Sequence, residues 1–291
     1  MDDYFIDKTR VRASFNRAAN TYDAAAVLQK LVRDEMLSRL DLIKISPYTI
    51  LDAGCGTGGG SFSLQKRFKK SQLFSLDLAF NMLQKTEAQR PFLQKIFGKN
   101  TLICADIENL PIANASINLL WSNLAIQWCN DLDKTFAEVM RVLQPDGLFI
   151  FSTFGPDTLK ELRAATHLSK GQQGNTHVSR FIDMHDIGDA LTRAGFSAPV
   201  LDVEHYTLTY DNVKNVMLDL KSIGANNATN GRGRGLAGKG FLSNLAAQYE
   251  QFRTNGKLPA TFEVIYGHAW KPTSMRLPEQ DYAPIEFVKR K

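Results

Sequence analysis

Ile50-Leu51-Asp52-Ala53-Gly54-Cys55-Gly56-Thr57-Gly58 decides the fold of this chain. A short apolar run, Tyr48 to Leu51, ends in a carboxylate and passes into a turn with glycine at alternate positions, after which Gly59 and Gly60 extend the series. Such a run fits a buried parallel strand, and the glycines let the backbone turn sharply and approach a ligand closely. The pattern, D-x-G-x-G-x-G, is not the G-x-G-x-x-G of a dinucleotide site, and no G-K-[ST] follows as in a P-loop.

Two further carboxylates give the turn its meaning. Gln72 to Asp77 is a second short apolar strand ending in an acid, 25 residues after Asp52. That is the interval of one βαβ unit, in which an acid at the tip of the second strand accepts hydrogen bonds from ribose hydroxyls. Thr101 to Asp106 repeats the arrangement, with Ile107 next. Acids at strand ends are common, and either alone would say little. Three strand–acid junctions in register define a nucleotide-type site.

The 291 residues suffice for one large domain or two small ones. A hydrophobic share of 44% with 22% charged residues fits a soluble globular protein. No uncharged apolar stretch is long enough to span a membrane, and Met1-Asp2-Asp3-Tyr4 lacks the start of a signal peptide. Cys55, Cys104 and Cys129 have no metal-ligand spacing, and so sparse a set fits a reducing cytoplasm. A net charge of +5 admits an acidic partner without requiring one.

Residues 1–47 read as a charged helical preface, expected to form a lid over the site, with Tyr22 and Gln29 on one helix face if the helix is continuous. From 48 to 154, strands alternate with helices as in a doubly wound, mostly parallel α/β sheet: the fourth strand is 117–121, a helix spans 131–143, and the fifth strand is 148–153. Leu143-Gln144-Pro145-Asp146-Gly147 reads as a helix stop and turn between those last two elements. Residues 155–270 hold substrate-side insertions, helical at 184–194 and 212–223, with strands at 200–210 and 261–270; 271–291 is a polar tail. The whole is expected to be a single domain. The segment Lys221 to Lys239 carries Arg232, Arg234 and two lysines, no acid and no interleaved aromatics, which points to a solvated loop and away from nucleic acid.

The glycine turn and its two acids resemble those of class I S-adenosylmethionine-dependent methyltransferases, a Rossmann-like superfamily. Further motifs narrow the likeness: Ser14-Phe15-Asn16-Arg17-Ala18-Ala19, Asn123-Leu124-Ala125-Ile126-Gln127-Trp128, Phe154-Gly155-Pro156-Asp157-Thr158-Leu159, Asp183-Met184-His185-Asp186-Ile187-Gly188 and Lys221-Ser222-Ile223-Gly224-Ala225. With these the chain resembles the malonyl-[acyl-carrier protein] O-methyltransferases of biotin synthesis over nearly its full length. The resemblance implies a cytoplasmic enzyme, expected to be a monomer without metal, membrane or nucleic acid. It would move a methyl group from S-adenosylmethionine to the free carboxylate of a malonyl thioester on acyl carrier protein, leaving S-adenosylhomocysteine.

For site residues, the resemblance implies Gly54, Gly56 and Gly58 facing the cofactor, Asp77 and Leu78 at the ribose, and Asp106 with Ile107 at adenine. Asn123 and Leu124 would border the methionine moiety, and Asp52 would order the turn or reach the amino group through water. Candidates for holding the substrate carboxylate are Arg232, Arg234 and Lys221, with Tyr22 on the lid. Trp121 is expected in the core, Trp128 on the acyl path, and His185 in a capping or packing role. The alternatives are methylation of another small acid or a quinone precursor, a relative associated with arginine hydroxylation in respiratory-complex assembly, and a non-catalytic assembly factor. The intact Asp52, Asp77 and Asp106 speak against the last.

Overall fold

The computed structural model describes residues 4–91, 99–170, 181–225, 228–229 and 239–273. Seven strands form one sheet: β1 (Thr49–Ala53), β2 (Gln72–Asp77), β3 (Asn100–Cys104), β4 (Ile117–Asn123), β5 (Leu143–Phe154), β6 (Ser197–Tyr210) and β7 (Leu258–Trp270). Their order is β3-β2-β1-β4-β5-β7-β6. The first five pair in parallel, and β7 alone runs antiparallel, between β5 and β6. The order reverses between β1 and β4, and at such a switch point the strand ends leave a crevice for a ligand.

Each strand feeds two cores because successive side chains point to opposite faces. Ile50, Trp121 and Ile150 face one way and pack with Val32 and Met36. Leu51, Leu120, Phe149 and Phe151 face the other and pack with Phe136 and Leu191. The first set is covered by helix α3 (Val27–Arg39), which lies in the N-terminal segment after α1 (Lys8–Ala18) and α2 (Tyr22–Ala25). On the same strands' margins run α4 (Gly59–Arg67) and α5 (Phe80–Gln89). The second set is covered by α6 (Leu132–Val142) and α8 (Met184–Arg193). Helices α7 (Lys160–Lys170), α9 (Val213–Ser222) and α10 (Lys239–Tyr249) fill the C-terminal half.

Several boundaries depart from the sequence reading for identifiable reasons. Leu143–Gly147 is not a separate turn. Leu143 already pairs with Ile117, and the irregularity between Ile117 and Leu119, with Asp146 at φ 58°, absorbs the residues read as a stop. The N-terminal helix is not continuous, because Ala26 at ψ 49° breaks it between α2 and α3, so Tyr22 and Gln29 lie on different helices. At α8 the cap is Asp183, which accepts the His185 backbone N–H at 2.8 Å, while the His185 side chain is 85% exposed and its ring Nδ1 meets the same carboxylate oxygen at 2.8 Å. Most of the polar tail, and Arg232 and Arg234, lie outside the described residues.

The tightest point of the sheet is Gly267 on β7. A methyl group there would come within 2.3 Å of the Phe151 ring and 2.7 Å of the Leu201 side chain. Gly267→Ala is therefore expected to destabilise the protein by about 1–3 kcal/mol through overpacking, lowering Tm by roughly 2–4 °C per kcal/mol. An unchanged melting curve would show that this packing yields freely.

Candidate active site

The glycine turn is held to the end of the neighbouring strand. Gly54 and Cys55 both donate their backbone N–H to the Leu76 carbonyl, at 2.8 and 2.9 Å. All three alternate glycines have positive φ, the left-handed region that side chains disfavour. A methyl at Gly54 would overlap the Ala125 side chain at 2.3 Å, and one at Gly58 the Thr86 methyl at 2.7 Å. Gly56 differs: its nearest neighbour would be the Tyr22 ring at 3.8 Å, an ordinary contact, so nothing crowds its backbone on the cleft side. Gly59 and Gly60 begin α4, and a methyl at Gly60 would crowd Asp52 Oδ2 and Trp121 Nε1 at 3.1 and 3.2 Å.

The three acids sit in distinct surroundings. Asp77 accepts the Gly56 and Ala79 backbone N–H groups, each at 2.8 Å, one on each oxygen. Burial pushes its carboxyl up to about 6 against those two bonds, which pull it down. Asp52 is 2% exposed and accepts the Ser61 hydroxyl at 2.6 Å. Burial pushes it up to about 7; the Ser61 bond opposes this, and the nearby Asp77 adds to it. Asp106 follows β3 instead of closing it, and its Oδ1 accepts both the Glu108 N–H at 3.1 Å and the Lys8 ammonium at 2.9 Å. Lys8 also reaches Glu108 at 2.5 Å. Burial would lower the Lys8 pKa, but the surrounding acidic groups more than reverse that and raise it.

Above these residues the cleft has two lobes. One of about 620 Å³ is bounded by Lys8, Phe15, Asp77, Leu78, Asp106 and Ile107. The other, about 500 Å³, is bounded by Gln29, Lys30, Arg33, Asp52 and Trp121. Tyr22, Gly54, Gly56 and Asn123 line both, so Tyr22 stands where the lobes meet. Its hydroxyl is held protonated well above the usual tyrosine range, by burial first and then by Asp77 and Asp23. Asn123 is fixed by the Ser152 hydroxyl at 2.9 Å and itself donates to the Gln29 carbonyl at 3.1 Å. Leu124, with φ 49°, carries the chain around the first lobe.

The structure brings every expected cofactor residue except Gly58 to the walls of this cleft. Gly58 instead shapes the turn from behind. Lys221 lies elsewhere, exposed on α9 and lining neither lobe. Trp128 packs edge-on to Phe15 at 5.4 Å and lines the first lobe with Asp106. Trp121 is fully buried as expected, but its Nε1–H has no partner among the described residues and borders the second lobe. Sequence reasoning missed Lys8, Lys30 and Arg33. Their helices read as a charged preface, and only the fold places these three cations over the strand ends.

A nucleoside carrying an amino-acid end fits this arrangement. The first lobe offers Asp77 and Asp106 for polar atoms of the nucleoside, with apolar walls between them. The second offers a buried carboxylate, an orphaned indole N–H and a guanidinium, and the open face of Gly56 joins the two. Fold and cleft together define a class I S-adenosylmethionine-dependent methyltransferase. In agreement, residues 51–151 match the family described as a methyltransferase domain. A solved methyltransferase from Bacillus halodurans C-125 shares the fold with TM-score 0.58 at 16% identity, over 83% of this chain and 99% of that one. A Haemonchus contortus phosphoethanolamine N-methyltransferase bound to S-adenosylhomocysteine shares it at TM-score 0.50 and 16% identity, over 82% of this chain and 53% of that one.

The particular family follows from closer relatives. The malonyl-[acyl-carrier protein] O-methyltransferase of Methylovorus sp. (strain MP688) is 62% identical over 99% of this chain and 97% of its own length. That of Laribacter hongkongensis is 54% identical over 93% of this chain and 92% of its own. This chain belongs to the malonyl-[acyl-carrier protein] O-methyltransferase family.

The raised carboxyls predict a pH signature. Both bind a proton more tightly folded than unfolded, where an aspartate titrates near about 3.9. Their ionisation therefore costs stability as pH rises from about 4 through about 6 for Asp77 and about 7 for Asp52. In ligand-free protein, Asp52→Asn should flatten the fall in unfolding free energy between those pH values, read by urea unfolding at several pH values. An unaltered slope would mean that Asp52 is as easily ionised folded as unfolded.

Proposed function

We propose that this protein methylates the free carboxylate of a malonyl thioester carried by acyl carrier protein, giving the methyl ester that primes pimelate assembly for biotin. The observation that carries this reading is the 62% identity over 99% of the chain with a relative of that name. The two-lobed cleft with all three strand-end acids in place supports it. The enzyme would work in the cytoplasm as a monomer, with residues 1–47 as a lid, 48–154 binding the cofactor and 155–270 shaping the substrate side. Among the described residues no helix is long and apolar enough to cross a membrane.

Bound S-adenosylmethionine supplies an electrophilic methyl group on a sulfonium. Asp106 and Ile107 would hold adenine, Asp77 and Leu78 the ribose, and the second lobe the methionine end, with Asn123 and Leu124 at the border. A buried aspartate suits the ammonium of that end, and the unpartnered Trp121 N–H suits its carboxylate, together with the Arg33 guanidinium, which already pairs with the exposed Asp34 at 2.7 Å and would turn its remaining N–H groups to the ligand. The malonyl carboxylate is ionised near neutral pH, so the protein needs no general base. Its task is alignment and exclusion of water. Tyr22, protonated and central, would donate to one carboxylate oxygen while the other faces the methyl group.

The pose is open to a direct check. Arg33→Ala should weaken S-adenosylhomocysteine at least tenfold in calorimetric titration, about 1.4 kcal/mol, and leave 5′-methylthioadenosine, which lacks the amino-acid end, within twofold. Asp77→Ala should weaken both. Equal losses for both ligands in Arg33→Ala would remove it from the methionine end.

The activity itself is tested by mass spectrometry of malonyl-carrier protein after incubation with S-adenosylmethionine. A methyl ester on the malonyl group is expected. An unmodified carrier under conditions where the cofactor binds would turn the reading toward another small acid.

A further inference from the structure

We infer that the outer face of α9, with the adjoining face of α1, is the docking surface for the acidic carrier protein; this rests on the carrier-protein reading above. Helix α9 is anchored through Val213 and Val216, which are buried with Leu245 and Tyr249 in the first core. Its opposite face presents Lys214, Met217, Leu218 and Lys221, the spacing of neighbours along one side of a helix. Met217 and Leu218 are 40% and 48% exposed, an apolar pair flanked by two ammonium groups. Neither lysine pairs with an acid among the described residues.

The position of this face ties it to the cleft. The Thr21 hydroxyl donates to the Ser222 carbonyl at 2.9 Å, joining the end of α9 to the residue before Tyr22. Gly224, at φ 77°, lies so close to α1 that a methyl there would come within 3.0 Å of Phe15 and 3.2 Å of Ala18. Helix α1 in turn exposes Arg12 and Arg17 and contains no acid.

Positive charge predominates around this rim. The acids nearest to it are already engaged: Asp7 by Arg10 at 2.9 Å, Asp23 by Thr57 and Gln89 at 2.5 Å each, and Asp219 by the Tyr210 hydroxyl at 2.7 Å. Of these, only Asp7 is neutralised by a cation; Asp23 and Asp219 keep their charge, and the Lys214 and Lys221 ammonium groups, with Arg12 and Arg17, outnumber them around the apolar pair. Such a surface complements a negatively charged helix with an apolar centre, and it steers association in a salt-dependent way. A carrier seated here would release its flexible arm at the junction of α9 and α2, next to Tyr22. A free small thioester would not need the surface.

The experiment compares two substrates that share the malonyl thioester: malonyl-carrier protein and malonyl-pantetheine. In the Lys214→Glu/Lys221→Glu variant, and separately in Met217→Asp, KM for the carrier-bound substrate should rise at least tenfold at low salt. The gap from wild type should shrink at high salt for the charge variant, and kcat/KM for malonyl-pantetheine should stay within twofold. Titration of malonyl-carrier protein onto the S-adenosylhomocysteine complex should report the same loss in binding alone. Unchanged values for the carrier, or equal losses for both substrates, would overturn the assignment. Wild-type protein that methylates neither substrate would instead overturn the functional reading, while carrier binding would still report on the surface.

Discussion

The Leu76–Asp77 end of β2 is the point on which the site depends. One carbonyl and one carboxylate there gather three successive backbone donors of the glycine turn: Leu76 takes Gly54 and Cys55, and Asp77 takes Gly56. Without Asp77 the Gly56 N–H would lose its partner beside the cleft, and the turn would have no reason to hold its left-handed geometry. The same carboxylate accepts the Ala79 N–H, so it also fixes where the chain leaves β2 for α5. A group that braces the turn from below keeps its charge close to the ligand site. Geometry and electrostatics are here properties of one side chain.

The N-terminal segment depends on that arrangement from above. Asp23 grips Thr57 in the turn and Gln89 on α5, and Thr86 on α5 donates to the Gly56 carbonyl at 2.9 Å. Farther along the cleft, Asn130 accepts the Ile6 N–H at 2.7 Å and donates to its carbonyl at 3.0 Å, and Lys8 bridges Asp106 and Glu108. The roof is thus fastened to loops after three different strands. Two small apolar clusters add to these polar contacts, Ala18 and Ala19 against Met82, and Ile6 and Val11 beside Phe15 and Trp128, but they are far smaller than the core that holds Val32 and Met36 one helix later. An element held this way separates more readily than one held by core burial.

How much of this was legible in the sequence depended on the range of the interaction. The order of strands and helices and the strand ends at Asp77 and near Asp52 and Asp106 followed from periodicity and spacing, which are local, and the wall residues Gly54, Ile107 and Asn123 followed from the family resemblance. The break at Ala26 did not, because alanine favours the helix and nothing local marks an interruption there. The early start of β5 was hidden for a similar reason: Pro145 and Gly147 signal a turn, and pairing of Leu143 with Ile117 overrides the signal. Arg33, Lys30 and Lys8 were illegible because nothing near them in sequence says which strand ends they will cover. Arg232 and Arg234 lie outside the described residues, so the structure adds nothing to their reading.

The ion pair between Lys8 and Asp106 has a consequence for the order of events. Because Lys8, Val11 and Phe15 of α1 line the first lobe and the helix's basic outer face belongs to the surface inferred for the carrier, a seated partner would hold α1 against that lobe. Nucleotide exchange would then be confined to the interval between partners. Turnover would be compulsorily ordered, with the methyl donor entering first and its spent form leaving last. Spent donor would accumulate as a dead-end complex whenever carriers outnumber open enzymes. The enzyme's pace would be set by how often its roof is bare.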